Sequence, residues 1–231
     1  GYYAIRLQEP NVFVELTASK RVGFHRYTFG ADEKKGMLRI DLKQGTGWDQ
    51  VKQSSIKLES PTLVTGNRYS KGWAASQHLF CAAEFSTPVK IKKQVGDTIM
   101  VLTIADVSKP VMVKCALSAV SVEDAKANLK AELPGWDFKA TVAEANKAWN
   151  DELGKIAVDT EDDEVRTIFY TALYHTMIAP SVFSDVTGNY RGADGKVYKG
   201  DFTNYTTFSL WDTYRAAHPL MSLIHPEKQK D

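Results

Sequence analysis

The chain has 231 residues with 29 basic and 28 acidic side chains, a net charge of +1, so no basic field marks it for nucleic acid or an anionic membrane surface. Hydrophobic residues make up 43% and charged residues 25%, the balance of a soluble globular chain, and no run approaches the ~18 apolar residues of a membrane span. Two cysteines, Cys81 and Cys115, are too few for a disulfide framework; both stand in apolar, strand-like segments and read as buried free thiols.

Up to about Ser118 the residues alternate as strands do. Val12, Val14 and Leu16 share one face, and Phe13, Glu15 and Thr17 share the other. Residues 2–7 already read as a strand, and similar runs occupy 22–29, 37–42, 50–59, 79–85, 89–94, 98–104 and 111–117. Turn chemistry separates them at Glu9-Pro10-Asn11, Gly30-Ala31-Asp32, Gly45-Thr46-Gly47, Gly66-Asn67 and Gly96-Asp97. Short strands at this spacing, without intervening helices, predict antiparallel sheets packed as a β-sandwich. We assign residues 1–137 to that domain and expect it to be amino-terminally incomplete, because the first strand has no preceding cap.

Beyond Ala119 the pattern turns helical. Ser121-Val122-Glu123-Asp124, Thr141-Val142-Ala143-Glu144 and Thr160-Glu161-Asp162-Asp163 each match the capping box, in which a hydroxyl and an acid three residues on satisfy orphan N–H groups. The first helix should stop at Pro134-Gly135. The second, 142–153, carries Val142, Ala145, Ala148 and Trp149 on one face and belongs to a linker helix over 138–158. The third, 161–178, opens a segment (159–231) that we expect to be carboxy-terminally incomplete. Its apolar residues, from Val165 and Ile168 to Met177 and Ile178, cover most of its circumference, so it should be buried among other helices. The last residues, from Pro226 and Glu227 to Asp231, read as the first turn of a further helix.

Between Ala179 and Ser209 the chain is polar, Gly-rich and aromatic, and longer than most connections between helices. Asn189 and Asp194-Gly195 suit tight turns. Asp185, Asn189 and Asp194 could suggest calcium, but the EF-hand spacing with its terminal Glu is absent and a turn-forming role is the simpler one. Trp211 beside Asp212 is the pair a sugar pocket wants: the indole covers the C–H face of a pyranose while the carboxylate accepts from adjacent hydroxyls. The alternative is a core Trp followed by an Asp capping a helix over 211–223. His25 reads as a satisfied strand histidine, and His218-Pro219 and His225-Pro226 as helix punctuation. No HExxH, GxSxG, phosphate-binding Gly loop or CxxC occurs, and Asp162-Asp163 falls on a helix start rather than forming a catalytic dyad.

Three stretches are familiar: Tyr174-His175-Thr176-Met177-Ile178-Ala179-Pro180; Phe183-Ser184-Asp185 through Tyr190-Arg191-Gly192; and Asn204-Tyr205-Thr206-Thr207-Phe208-Ser209-Leu210-Trp211-Asp212-Thr213-Tyr214-Arg215 with His218-Pro219-Leu220. They closely resemble the start of the catalytic domain in glycoside hydrolase family 92. Gly72-Trp73-Ala74 and Ala82-Ala83-Glu84-Phe85 look like that family's N-terminal β domain. The resemblance implies a β-sandwich, a linker helix and the first helices of an (α/α)6 barrel. It also implies an exo-α-mannosidase that inverts configuration, needs Ca2+, acts on mannose-containing glycans and is secreted or periplasmic. Trp211 and Asp212 would bind the terminal mannose. The catalytic acid and base and most calcium contacts would come from remaining segments of the same enzyme, so no catalytic or metal residue is assigned and the isolated chain should be inactive. The rival readings are a non-catalytic carbohydrate-binding β-sandwich module and a subunit of a split enzyme.

Overall fold

A computed structural model describes every residue except Lys34, Thr46, Phe208 and Gln229. The first strands, β1 (Tyr3–Leu7), β2 (Val12–Ala18) and β3 (Val22–Phe29), form a meander; β4 (Gly36–Asp41) leaves for a second sheet. β5 (Gln50–Ser60), β6 (Leu63–Lys71) and β7 (Gln77–Phe85) return to the first sheet, β8 (Val89–Val95) and β9 (Ile99–Ile104) join β4, and β10 (Val111–Ser118) closes the series. Among the described residues the larger sheet runs β1-β2-β3-β10-β7-β6-β5 and the smaller β4-β9-β8, every pairing antiparallel. The expected sandwich is present, with its core between the sheets at Ile56, Val64, Phe85, Met100, Leu102, Ile104, Val111 and Val113.

β6 corrects one expectation. Gly66-Asn67 is not a turn; Gly66 lies mid-strand, opposite Ile56 and Cys81. A side chain there would bring its Cβ to 2.6 Å from the Ser55 carbonyl oxygen. The glycine therefore serves close approach of backbone within the sheet, a second use of Gly in strands that looks identical in sequence. Cys81 and Cys115 lie on adjacent strands, two positions out of register, and both are free thiols. Burial pushes the Cys81 thiol up to about 12 and raises Cys115 as well.

Helices cover the outer face of the larger sheet, a third layer that strand alternation alone did not announce. α1 (Val122–Glu132) is capped by Ser121, whose oxygen accepts from Asp124 N–H, as the capping box requires. α2 (Phe138–Leu153) starts where the expected linker helix does, but its cap is one turn before Thr141: Asp137 accepts from Ala140 N–H, and Thr141 lies within the helix, its hydroxyl donating to the Asp137 carbonyl. Ala125, Leu129, Leu133 and Phe138 pack on Val22, Phe24, Ala82 and Ala116, with the Phe24 and Phe138 rings edge-to-face at 5.2 Å. The buried Lys114 ammonium beneath them is held by Glu84 at 2.7 Å, the Leu133 carbonyl at 3.0 Å and the Trp136 ring at 4.0 Å.

An ion pair ties β2 to β3 beneath the start of α2. Arg26 donates to both Glu15 oxygens at 2.5 and 2.6 Å, while its guanidinium lies 4.4 Å from the Phe138 ring centroid. Arg26 holds the Glu15 carboxyl below its ordinary value despite burial. A depressed folded-state value means that the stabilisation is complete above the unfolded carboxylate value of about 4.3 and fades as pH falls through the folded one. Glu15→Gln should therefore lower the urea midpoint at neutral pH, by the equivalent of about 1.5–3 kcal/mol, with the gap to wild type closing under acid. A gap that persists unchanged at the acidic end would show that charge is not its source.

α3 (Asp163–Thr176) is capped by Asp162, which accepts from Glu164 and Val165 N–H, two residues later than the expected Thr160. Leu173 is buried and Trp149 of α2 meets Tyr174 at 4.8 Å, but Val165, Tyr174 and Ile178 are exposed and Ile168 is 61% exposed. Its neighbours within the chain leave this helix largely uncovered, in line with the expectation that the other helices of its bundle are not among these residues. The accessible surface agrees: it is 14579 Å², against about 10,500 Å² for a compact monomer of this mass.

Candidate functional site

The polar stretch after α3 folds as β11 (Asn189–Arg191) and β12 (Val197–Lys199), joined through Asp194-Gly195 with Gly195 at φ 79°, followed by α4 (Leu210–Thr213) and α5 (Ala217–Ile224). α4 holds Trp211 and Asp212. Trp211 is 83% exposed, Asp212 is exposed, and the Asp212 N–H donates to the Ser209 carbonyl at 3.1 Å. Ser209 occupies the cap position. The packing alternative is thereby corrected: Trp211 is not in a core of this chain and Asp212 does not cap the helix. The expected helix over 211–223 is broken at 214–216, and His218-Pro219 opens α5 instead of ending a helix. Phe208 of the familiar motif lies outside the described residues.

Asp185 opens a turn, its carbonyl accepting from Gly188 N–H at 2.9 Å, and its side chain and that of Asn189 have a further task. Asp185 accepts from Ser118 Oγ at 2.7 Å and Asn128 Nδ2 at 2.6 Å; Asn128, fully buried, also donates to the Leu117 carbonyl and accepts from Val186 N–H. Asp124 accepts from Thr187 Oγ1 and Asn189 Nδ2. Arg191 donates to the Ala119 and Val120 carbonyls, and Arg21 to the Ser184 carbonyl while pairing with Glu132. These residues clamp the loop of residues 184–191 onto β10 and α1. Burial raises the Asp185 carboxyl above its usual range, against the two hydrogen bonds that favour its charge. Asn189 follows its turn, which falls on Gly188, and Asp194 accepts from Lys196 N–H and Tyr198 Oη.

Below the clamp, a largely apolar cavity of about 900 Å³ is lined by Trp149, Met177, Pro180, Tyr205, Leu210 and Met221 among others. Trp211 and Asp212 do not line it. Its polar end is His225, which is buried and more than punctuation. Lys155 Nζ donates to its Nδ1 at 2.8 Å, and its Nε2 lies 3.1 Å from Glu152 Oε2. Burial and the Lys228 ammonium lower its pKa, in keeping with a neutral ring. After α5, where the first turn of a helix was expected, the chain makes a turn over 226–228, with Lys228 N–H donating to the His225 carbonyl at 3.0 Å; Gln229 lies outside the described residues. His25 is satisfied, with Nδ1 2.7 Å from Tyr27 Oη.

Sequence reasoning missed Asn128, Asp124 and Arg21 as clamp residues. A signal existed for one of them. Asn128 sits mid-helix on the same face as Ala125 and Leu129, where a poor helix former needs a reason to stand.

A β-sandwich is joined through a buried polar clamp to a helical segment. Residues 1–118 match the glycosyl hydrolase family 92 N-terminal domain, and residues 124–231 match the family 92 catalytic domain. The chain belongs to glycosyl hydrolase family 92. It is similar to a family 92 α-mannosidase of Bacteroides thetaiotaomicron, with 31% identity over 96% of this chain and 32% of that one at a TM-score of 0.86. A structure of that mannosidase with mannoimidazole superposes with a TM-score of 0.85. The family 92 inverting mannosidase of the same organism is 26% identical, with a TM-score of 0.81. An uncharacterized secreted glycosidase of Arthroderma benhamiae is 24% identical over 93% of this chain and 32% of its own length. The chain thus spans about a third of the relatives it matches.

Proposed function

We propose that the chain is the sandwich, linker and first barrel helices of a secreted or periplasmic exo-α-mannosidase that removes terminal α-linked mannose with inversion. The observation that carries this reading is the superposition of 96% of the chain on a family 92 α-mannosidase at 31% identity. Open apolar residues on α3 support the barrel: its remaining helices would cover them.

In this reading Trp211 presents its indole to the C–H face of the terminal mannose, and Asp212 accepts from its hydroxyls. Their exposure on α4 leaves both free to meet a sugar. That role is positioning rather than proton transfer. Inversion needs a general acid and a general base on opposite faces of the ring, about 6.5–9.5 Å apart to admit a water. We place both on the remaining segments of the enzyme. Calcium would belong to the completed site. Among the described residues no three carboxylate, imidazole or thiol groups gather as ligands.

The test is hydrolysis of an α-mannoside by enzyme that joins this chain to its remaining two-thirds, with the product followed by NMR. Free β-mannose should appear first, and chelation should stop its release, while the 231-residue chain alone should give no turnover. Absence of mannose release, or α-mannose as first product, would overturn the assignment.

A further inference from the structure

We propose that the end of the β-sandwich carries a binding groove for a neutral saccharide, walled by Trp48 and Trp73. These two indoles are 68% and 89% exposed, on two loops of the β domain that stand beside each other. They flank a concavity of about 980 Å³ whose lining also includes Gln44, Asp49, Arg68, Gln77 and Leu79. Isolated exposed apolar side chains need no explanation, but two large aromatics across one polar floor do.

The floor follows from strand register. Leu79 opposes Arg68 and Gln77 opposes Ser70, so these residues of β6 and β7 share one face of the larger sheet. The loops above them are held. Arg68 donates to Asp49 at 2.5 Å and to the Leu42 carbonyl at 2.9 Å. Hydrogen bonds from Arg68 and Ser70 keep the Asp49 carboxyl below its usual range. Gly72 lies so close to Asp49 that an added Cβ would stand 3.0 Å from the Asp49 Cα, which is how the Trp73 loop reaches the Trp48 loop. The loops that carry the two indoles are therefore tied together before a ligand arrives, which reduces the ordering cost of binding.

The same contacts choose the ligand. Arg68 and Asp49 neutralise each other, so the groove offers no net charge to an anion or a cation. Amides at Gln44 and Gln77 can both donate and accept, as hydroxyls demand. Indole faces suit the flat C–H surface of a pyranose. The saccharide class follows from the groove itself; only the use of mannosides as first probe rests on the proposed mannosidase reading.

The test is titration of the 231-residue chain with manno-, gluco- and galacto-oligosaccharides, read by tryptophan fluorescence and by calorimetry. Saturable binding with a Kd of about millimolar is expected for at least one of them. Trp48→Ala and Trp73→Ala should each weaken it about tenfold or more with unchanged circular dichroism, and the Phe variants should restore part of it. No saturation by any of the three sugars, or binding that survives both alanine variants, overturns the groove. Those outcomes are independent of α-mannoside hydrolysis by the completed enzyme, which can fail or succeed on its own.

Discussion

Asn128→Ala should lower the stability of the folded chain by about 2–4 kcal/mol and free the loop of residues 184–191 from its dock. Asn128 is fully buried and makes three hydrogen bonds, to the Leu117 carbonyl, the Asp185 carboxylate and the Val186 N–H. Truncation leaves a buried carboxylate with Ser118 as its remaining side-chain donor and strands two backbone groups. Leaving such groups unpaired costs more than the bond itself is worth. Denaturant unfolding measures the loss, and hydrogen exchange should show faster exchange at Val186.

Asn128→Asp adds a signature that simple packing damage lacks. Two carboxylates would then face each other in a desolvated site, and one would hold its proton to a raised pKa. Stability from a raised carboxyl is present at low pH and lost as pH rises through the folded value. The variant should therefore gain stability on mild acidification relative to wild type. A loss for Asn128→Ala within about 0.5 kcal/mol, the range of ordinary surface changes, would mean that the clamp does not hold the two parts together.

The second large effect concerns α4. In the completed enzyme, Asp212→Ala should cut kcat/KM on an α-mannoside by about a hundredfold or more, equivalent to about 2.7 kcal/mol of transition-state stabilisation. Hydroxyls that lose an acceptor inside a closed sugar pocket are left unpaired, which is what makes polar recognition discriminating. Trp211→Ala should act mainly through KM, because an indole platform holds ground state and transition state alike. Neither change should move the unfolding midpoint of the 231-residue chain, since Trp211 is 83% exposed and Asp212 is exposed as well. Rates within twofold of wild type for both variants would remove them from the substrate site.

Residues near in sequence were the legible ones. Val12 to Thr17 alternated and formed β2; Ser121 and Asp124 matched the capping box and capped α1. Errors came where one local signal has two physical uses. Gly66 read as a turn because glycine's tolerance of close backbone approach and its turn conformations look the same in a string. Thr141 and Thr160 read as caps, but Asp137 and Asp162 were nearby competitors with stronger acceptors. Trp211-Asp212 could be quoted from the sequence as a sugar-binding pair, yet whether it faced a core depended on what α4 packs against.

Alternation, capping and turn chemistry determined by themselves that strands come first and helices follow, because each signal is spent within a few residues of its source. Tertiary structure alone decided that Asn128 meets Asp185, that Arg21 reaches the carbonyl of Ser184, and that His225 is buried against Glu152 and Lys155. Those partners are 57 to 163 positions apart, and no periodicity carries information over such distances. Burial is a property of the assembled layers, which is why the apolar circumference of α3 could be read residue by residue while its covering could not.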